Sequence, residues 1–466
     1  MQSGHIRNFD PEDRVAWAAN NAAIARRNLI WSTAGTHIAV SIWSLWSAVL
    51  LFMPESIYGL KPGDKLLVAA IATLVGGGSR MPYTWATAKF GGRNWAVLSS
   101  LILLVPTVGT LLLLLHPGLP LWMYLVCAAL TGLGGGTYAA ALANVDAFYP
   151  QRLKGGALGL CGGIGNLGVA GIQLVALLVM SHAGGARPEL VCGIYGVLLA
   201  LVAVCSAVWM DNLDHGMPEV GGIRSILSIP DSWTVSALYC AAFGSFIGFA
   251  FAFAQVLQNT LEKAGDTPEH ASLYAARIAF VGPLLGALSR IYGGRVADRL
   301  GGGRVTFWVF LGMISAAGVL VVTSTLDDEG SRAGTATVVV YIAAFMVLFF
   351  LAGMGNGSVL KMIPSIFEAR SRSLAGSEAE RRHWSRSHSG SLIGFATSVG
   401  ALGGVAIDLI LRQSYDSSGS ATPAFWIFIA SYCAAAALTW FSFVRAPRIE
   451  RFPGIGVARV GVEVSA

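Results

Sequence analysis

Long apolar runs separated by short polar breaks organise this chain from residue 33 onward. About twelve runs of roughly 20 residues can be drawn, at 33–53, 65–88, 94–115, 119–147, 155–181, 191–210, 233–258, 273–297, 304–324, 336–363, 389–412 and 423–444. Each is long enough to cross a hydrocarbon core of ~30 Å as a helix. A spanning segment must satisfy its own backbone, and the alternating segments of about ten residues that mark a barrel are absent. The pattern therefore predicts an all-α integral membrane protein of twelve transmembrane helices.

The longest polar interruption of the first half is DNLDHGMPEVGGIRSILSIPDSW, residues 211–233. It suggests an N-terminal tail (1–30), a six-helix bundle (31–210), a linker (211–232), a second six-helix bundle (233–445) and a C-terminal tail (446–466). The bundles echo each other. Ser79-Arg80 stands 13 residues before Arg93 of FGGR, and Ser289-Arg290 stands 14 before Arg304 of GGGR, each pair in the second run of its half. Likewise GLGGGTYAAALANVDAFYP (132–150) and GGALGLCGGIGNLGVAG (155–171) are echoed by GMGNGSVLKMIPSIF (353–367) and GSLIGFATSVGALGGV (390–405). Repeats of this kind, with a substrate site at their interface near the bilayer midplane, mark secondary transporters.

Composition agrees, at 55% hydrophobic and 12% charged residues with a mean hydropathy of +0.64. Lys and Arg fix an expected orientation. With both termini cytoplasmic, the inner face collects Arg7, Arg14, Arg26, Arg27, Lys89, Arg93, Arg152, Lys154, Arg224, Arg295, Arg299, Arg304, the arginines of 370–386 and the C-terminal tail. The outer face keeps Lys61, Lys65, Arg187, Lys263, Arg332 and Arg412. That bias predicts a multi-pass protein of the cytoplasmic (inner) membrane. The net charge of +6 is thus spread along one membrane face and calls for no nucleic-acid partner. The six cysteines fall inside the runs without metal-ligand spacing or a secreted-type disulfide pattern. The polar first 30 residues suggest no cleaved signal peptide.

GGRVADRLGGGRVT (293–306) resembles the cytoplasmic loop signature of the major facilitator superfamily, G-x-L-x-D-R-x-G-x-[RK], through Gly294, Asp298, Arg299 and Gly301, with Arg304 one place past the closing basic position. The matching loop of the first half, KFGGRNW (89–95), lacks the Asp. A narrower resemblance is to the nitrate/nitrite porter family: GGALGLCGGIGNLGV and SLIGFATSVGALGG are similar to its two nitrate signatures, and LYCAAFGSFIGFAFAF (238–253) and GPLLGALSR (282–290) to its seventh and eighth helices. The similarity runs from about Arg27 to Arg445, leaving the tails and an insert at 368–388 aside.

Arg80 lies about nine residues, ~14 Å, from the inner end of its run, too deep for easy snorkelling. Arg290 lies ~12 Å above Asp298 at the matching place. The only acids within the runs, Asp146 and Asp408, fall near opposite ends of theirs. Two deep cations without a midplane acid suggest that the missing partner is a transported anion, the alternative being arginines satisfied by backbone. Arg277 and Lys361 sit near helix ends where snorkelling suffices, although Lys361 could line the inner vestibule. Asn166, in a stripe of glycines, either donates to an anion or bonds a neighbouring helix. The GIGNLG around it follows no strand and is no dinucleotide fingerprint. His37 is either a proton relay or structural.

The porter resemblance implies further site residues. It places aromatics at Tyr138, Tyr239 and Phe243 around a flat anion, the family having Phe at the place of Tyr138. Gly400 and Ser398 are weaker candidates for backbone or hydroxyl contacts.

No Walker A, HExxH, GxSxG or CxxC motif is present, so neither an enzyme nor an ATP-driven pump is indicated, and no cofactor is implied. The reading is a monomeric transporter of nitrate and/or nitrite working in the lipid bilayer by alternating access. Exchange is favoured, because an empty site would bury two unpaired cations and no midplane carboxylate is at hand to carry protons. Proton-coupled nitrate uptake, a porter for another small anion such as an organic phosphate, and a membrane receptor with a transporter-like body are the alternatives. The insert at 368–388 reads as a solvated cytoplasmic loop or a regulatory segment.

Overall fold

The computed structural model describes residues 5–7, 9–182, 187–213, 223–328 and 335–445. The tail at 446–466, the middle of the linker at 214–222 and Arg332 lie outside the described residues. Among those described, ten helices are long and apolar enough to span a bilayer, or eleven with one bent pair.

That bent pair is the first run, α1 (Ala22–Trp43) and α2 (Leu45–Val49), with a bend of 52°. Serines explain it: the Ser44 hydroxyl donates to Val40 and Ser41 carbonyls and Ser47 donates to the Ser44 carbonyl, all competing with the helix's own bonds. The second run is also broken, into α3 (Pro62–Gly78) and α4 (Arg80–Phe90), at Ser79. Pro82 is the third residue of α4 and has no N–H for the Gly78 carbonyl, while Gly76 to Gly78 give the preceding turn little intrinsic helix preference. The interruption therefore comes just ahead of Arg80.

The remaining elements are α5 (Gly92–Leu115), α6 (Leu121–Gly132), α7 (Gly134–Phe148), α8 (Gln151–His182), α9 (Glu189–Trp209), the linker helix α10 (Ile223–Leu227), α11 (Pro230–Lys263), α12 (Pro268–Ala279), α13 (Val281–Leu300), α14 (Gly302–Asp328), α15 (Thr335–Ser371), α16 (Glu378–Ser418) and α17 (Thr422–Thr439). Within the first half, α1 packs on α7 and α8, and α5 on α9; within the second, α11 packs on α16 and α15 on α13 and α14. The halves meet along two seams, α3 against α16 and α8 against α12 and α13.

The stretch expected as a loop at 368–388 is largely helix. Helix α15 runs to Ser371 and α16 starts at Glu378 behind a capping box, in which the Ser377 hydroxyl accepts from the Glu380 amide and Glu380 accepts from the Ser377 amide. Its charged sequence hides these turns from a hydropathy reading.

The repeat survives in the backbone. Gly91 and Gly301 close α4 and α13 with φ of 87° and 88°, their amides donating to the Thr87 and Ala297 carbonyls. A side chain at either place would be strained. Ion pairs fasten the same end of each half: Arg27 to Asp211 at 2.6 Å and Arg370 to Asp231 at 3.0 Å. A parallel bridge of His5–Ile6 with Asn212–Leu213 joins the N-terminus to the start of the linker.

Glycines seat the arginine-bearing helices. A Cβ at Gly135 would stand 2.7 Å from the Gly76 Cα, and one at Gly136 would stand 2.8 Å from the Ser79 hydroxyl. In the second half a Cβ at Gly353 would strike Gly286 and the Ser289 hydroxyl, and one at Gly357 the Arg290 carbonyl. These contacts align Gly135 and Gly136 with Gly353, about one turn from the register in which the sequence echo begins. Glycines a turn apart share a helix face, so the sequence alone does not separate the two registers.

Candidate functional site

Arg80 is the first residue of α4 and is 2% exposed. Its Nη1 donates to the Thr397 carbonyl at 2.9 Å, and its Nε has no hydrogen-bond partner. Three aromatic faces surround the guanidinium, whose carbon lies 5.1 Å from the Phe243 ring centre, 5.5 Å from Tyr138 and 5.6 Å from Trp43. Such contacts soften the burial of a cation without neutralising it. Trp43 is held by its indole N–H donating to the Ala72 carbonyl at 3.0 Å.

Arg290, half-buried on α13, donates from Nη1 to the Tyr138 hydroxyl at 3.4 Å. Among the described residues neither arginine has a carboxylate within ion-pair distance. Both hydrogen bonds cross between halves: Arg80 of the first reaches Thr397 of the second, and Arg290 of the second reaches Tyr138 of the first.

The other candidates line this pair in part. Tyr239 and Phe243 stack with ring centres 5.1 Å apart and planes 17° from parallel. Gly400 makes the stack possible, because a Cβ there would come within 2.6 Å of Tyr239 and 2.9 Å of Phe243. Ser398 spends its hydroxyl proton within α16, donating to the Gly394 carbonyl at 3.2 Å. Asn166 is 4% exposed and makes no hydrogen bond among the described residues. It lies one turn beyond Gly162, whose Cβ position is 2.8 Å from the Tyr138 hydroxyl, so Asn166 shares the α8 face turned to Tyr138. From Gly162 to Gly171 the glycine stripe admits α1 and Tyr138, whereas Gly156 and Gly159 meet nothing within 4 Å.

The loop motif stands apart from this cluster. Asp298 forms an ion pair of 2.9 Å with Lys361, both about half exposed. Lys361 thus has a named partner on the neighbouring helix, where the sequence offered only snorkelling or a vestibule position. Arg299 and Arg304 are exposed. If the Asp298–Lys361 pair ties α13 to α15, reversing one charge should slow transport several-fold, and Asp298→Lys with Lys361→Asp together should restore most of the rate. Uptake in which the double variant is no better than the singles would refute the tie.

His37 on α1 faces α8, its Nδ1 at 2.9 Å from the Ile164 carbonyl and its Nε2 3.3 Å from where a Gly171 Cβ would be. That is a helix-packing position. Arg277 is exposed, and Asp146 pairs with Lys154 at 3.0 Å. Asp408 departs from its expected place near a helix end. Helix α16 runs ten residues past it to Ser418, and its carboxyl is fully buried.

Two participants escaped the sequence reading. Trp43 was one aromatic among many, and Thr397 contributes its carbonyl, which no side-chain pattern announces.

Comparison with known proteins bears on this geometry. The sequence model of the Major Facilitator Superfamily matches residues 32–406. The chain is 31% identical to the "Nitrate/nitrite transporter NarU" of Escherichia coli (strain K12), covering 94% of this chain and 96% of the relative. It is 26% identical to the "Probable nitrate/nitrite antiporter NarK2" of Thermus thermophilus at the same coverage of 94% and 96%. Among solved structures, the xylose transporter XylE from E. coli in a partially occluded inward-open conformation superposes with a TM-score of 0.64 at 12% identity, over 90% of this chain and 98% of that one. At that identity the likeness concerns the fold alone.

Proposed function

The chain belongs to the Major Facilitator Superfamily, in its nitrate/nitrite porter family, and from that membership we propose that it exchanges nitrate and nitrite across the bilayer by alternating access. The observation that carries the proposal is Arg80: 2% exposed, without an acidic partner among the described residues, and held between aromatic faces. A small monoanion supplies the charge this place lacks. Arg80 and Arg290 are its cationic seats, one on each half. Asn166 adds an uncommitted amide, while Tyr138, Tyr239 and Phe243 favour a flat ion over a tetrahedral one.

Exchange follows from the cost of returning empty. Two guanidinium groups facing each other without an anion repel in a medium of low dielectric, and a bound monoanion offsets part of that repulsion. The loaded carrier therefore turns over more readily than the empty one. The relative named as an antiporter supports the same mode. The face with the Gly91 and Gly301 turns is taken as cytoplasmic from the Lys and Arg distribution.

Purified protein in proteoliposomes, loaded with nitrate, nitrite, chlorate, formate or phosphate, tests this by counterflow of labelled nitrate. Nitrate and nitrite should drive it strongly, and phosphate at least about tenfold less, a difference of about 1.4 kcal/mol. Equal counterflow with phosphate would point to a porter for phosphate esters instead. Equal uptake with no internal anion but with a proton gradient would overturn exchange.

A further inference from the structure

We propose that Asp408 is a proton-binding site in the seam between the two halves, and that its protonation is required for the seam to close. Asp408 is 0% exposed, and neither carboxyl oxygen has a hydrogen-bond partner. Its place in the fold is set by Gly404, one turn earlier on α16. A Cβ at Gly404 would lie 3.1 Å from the Ile247 side chain on α11 and 3.1 Å from the Thr73 methyl on α3. The α16 face carrying Asp408 is therefore turned to the α3 seam, at the end of the bundle opposite Gly91 and Gly301. That end is shut here: α11 is buried throughout Phe249 to Leu257.

Among the described residues no cation is within ion-pair distance of the Asp408 carboxyl. Helix α11 carries no charged residue between Asp231 and Glu262, α15 none before Lys361, and α17 none, its Tyr432 hydroxyl being paired with Ser245 at 2.8 Å. Arg80 on α4 meets α16 at Thr397, eleven residues away, or ~16 Å along the helix. On α3 the charged groups are Asp64 and Lys65; on α16 itself Arg412 is one turn outward and committed to Asp416 at 3.4 Å. Gly63 of α3 packs against Asp416 and Thr73 against Gly404, so Lys65 lies about one turn outward of Asp408. It is 5% exposed.

Closing this seam on an ionised Asp408 would strand a charge away from water and without a paired counter-ion, so closure takes up a proton from the aqueous phase on that side to give the neutral acid. Opening the seam readmits water beside Lys65 and Arg412, and the proton leaves. The closed form holds one proton more than the open form, so acidity on that side favours closure, by up to about tenfold in the open-to-closed ratio per pH unit. The device rests on the alternating-access reading but does not need the identity of the anion.

Spin labels at Ile57→Cys and Glu269→Cys, exposed positions of the two halves at that end, report the seam in reconstituted, cysteine-free protein without substrate. The open population should fall as pH drops from 8 to about 5.5, and Asp408→Asn should remove that dependence and stay closed throughout. Asp408→Leu should behave as Asn. The proposal is overturned by an open-to-closed ratio that ignores pH in the otherwise native protein, by an Asn variant that keeps the dependence, or by a single distance population at every pH. Each of these results leaves the anion reading to its own counterflow test. Anion counterflow that fails to discriminate would sink the nitrate reading and leave the pH result standing.

Discussion

Replacing Arg80 by lysine is expected to cut nitrate counterflow by about 100-fold, although the site keeps its formal charge. A lysine ammonium is a compact point charge on a flexible stem, and it cannot donate to the Thr397 carbonyl and present a second planar edge to an anion at once. Nor does it lie flat among Trp43, Tyr138 and Phe243, which are spaced for a guanidinium. Losing one well-oriented, desolvated charge contact costs about 3 kcal/mol, within the range measured for buried charged pairs, which sets the factor of about 100. The same substitution at Arg290, which is less buried, should cost less. Wild-type counterflow by Arg80→Lys, in protein that elutes and melts normally, would show that only a positive charge is needed and would remove the clamp.

The second large effect is structural. Gly135→Leu should cost more than about 3 kcal/mol, beyond ordinary overpacking, and most of the protein should fail to elute as a folded species. The reason is what the side chain would meet. At Gly135 the obstacle is the Gly76 backbone, with Cα at 2.7 Å and the carbonyl oxygen at 2.8 Å, and a backbone has no rotamer with which to yield. Because Gly76 lies one turn before Arg80, partial accommodation would also displace the guanidinium. Gly318→Leu on α14 is the matched control, with nothing within 4 Å of its Cβ position, and should elute as wild type. A Gly135→Leu protein with an unchanged melting curve would contradict the seating of α3 on α7.

The sequence disclosed what hydropathy and charge can disclose. Arg80 and Arg290 are legible because a cation deep in an apolar run is costly, and their matching places because the Ser-Arg pairs keep their distance to Arg93 and Arg304. The interruption at Ser79 was not legible: a proline in an apolar run marks a bend without fixing its place, and the break falls three residues ahead of Pro82, where Gly78 loses its hydrogen-bond donor. Asp408 was misplaced because hydropathy ends an apolar run at the membrane surface, whereas α16 continues to Ser418 and stays sheathed by α3 and α11. The Asp298–Lys361 pair joins residues 63 apart, a separation across which no local pattern operates. The capping box of α16 was readable as Ser377 followed by Glu380, yet it lay in a stretch whose charge suggested a loop.

The crossed hydrogen bonds of the two arginines bear on how cargo and motion are tied. In this arrangement Arg80 grips Thr397 and Arg290 grips Tyr138, so the groups that would seat an anion also clasp the halves together. An arriving anion competes for those donors. On the proposed reading, loading would loosen this part of the clasp in the act of filling a seat. In a carrier of that kind, occupancy and release of this latch would be one and the same exchange of hydrogen bonds.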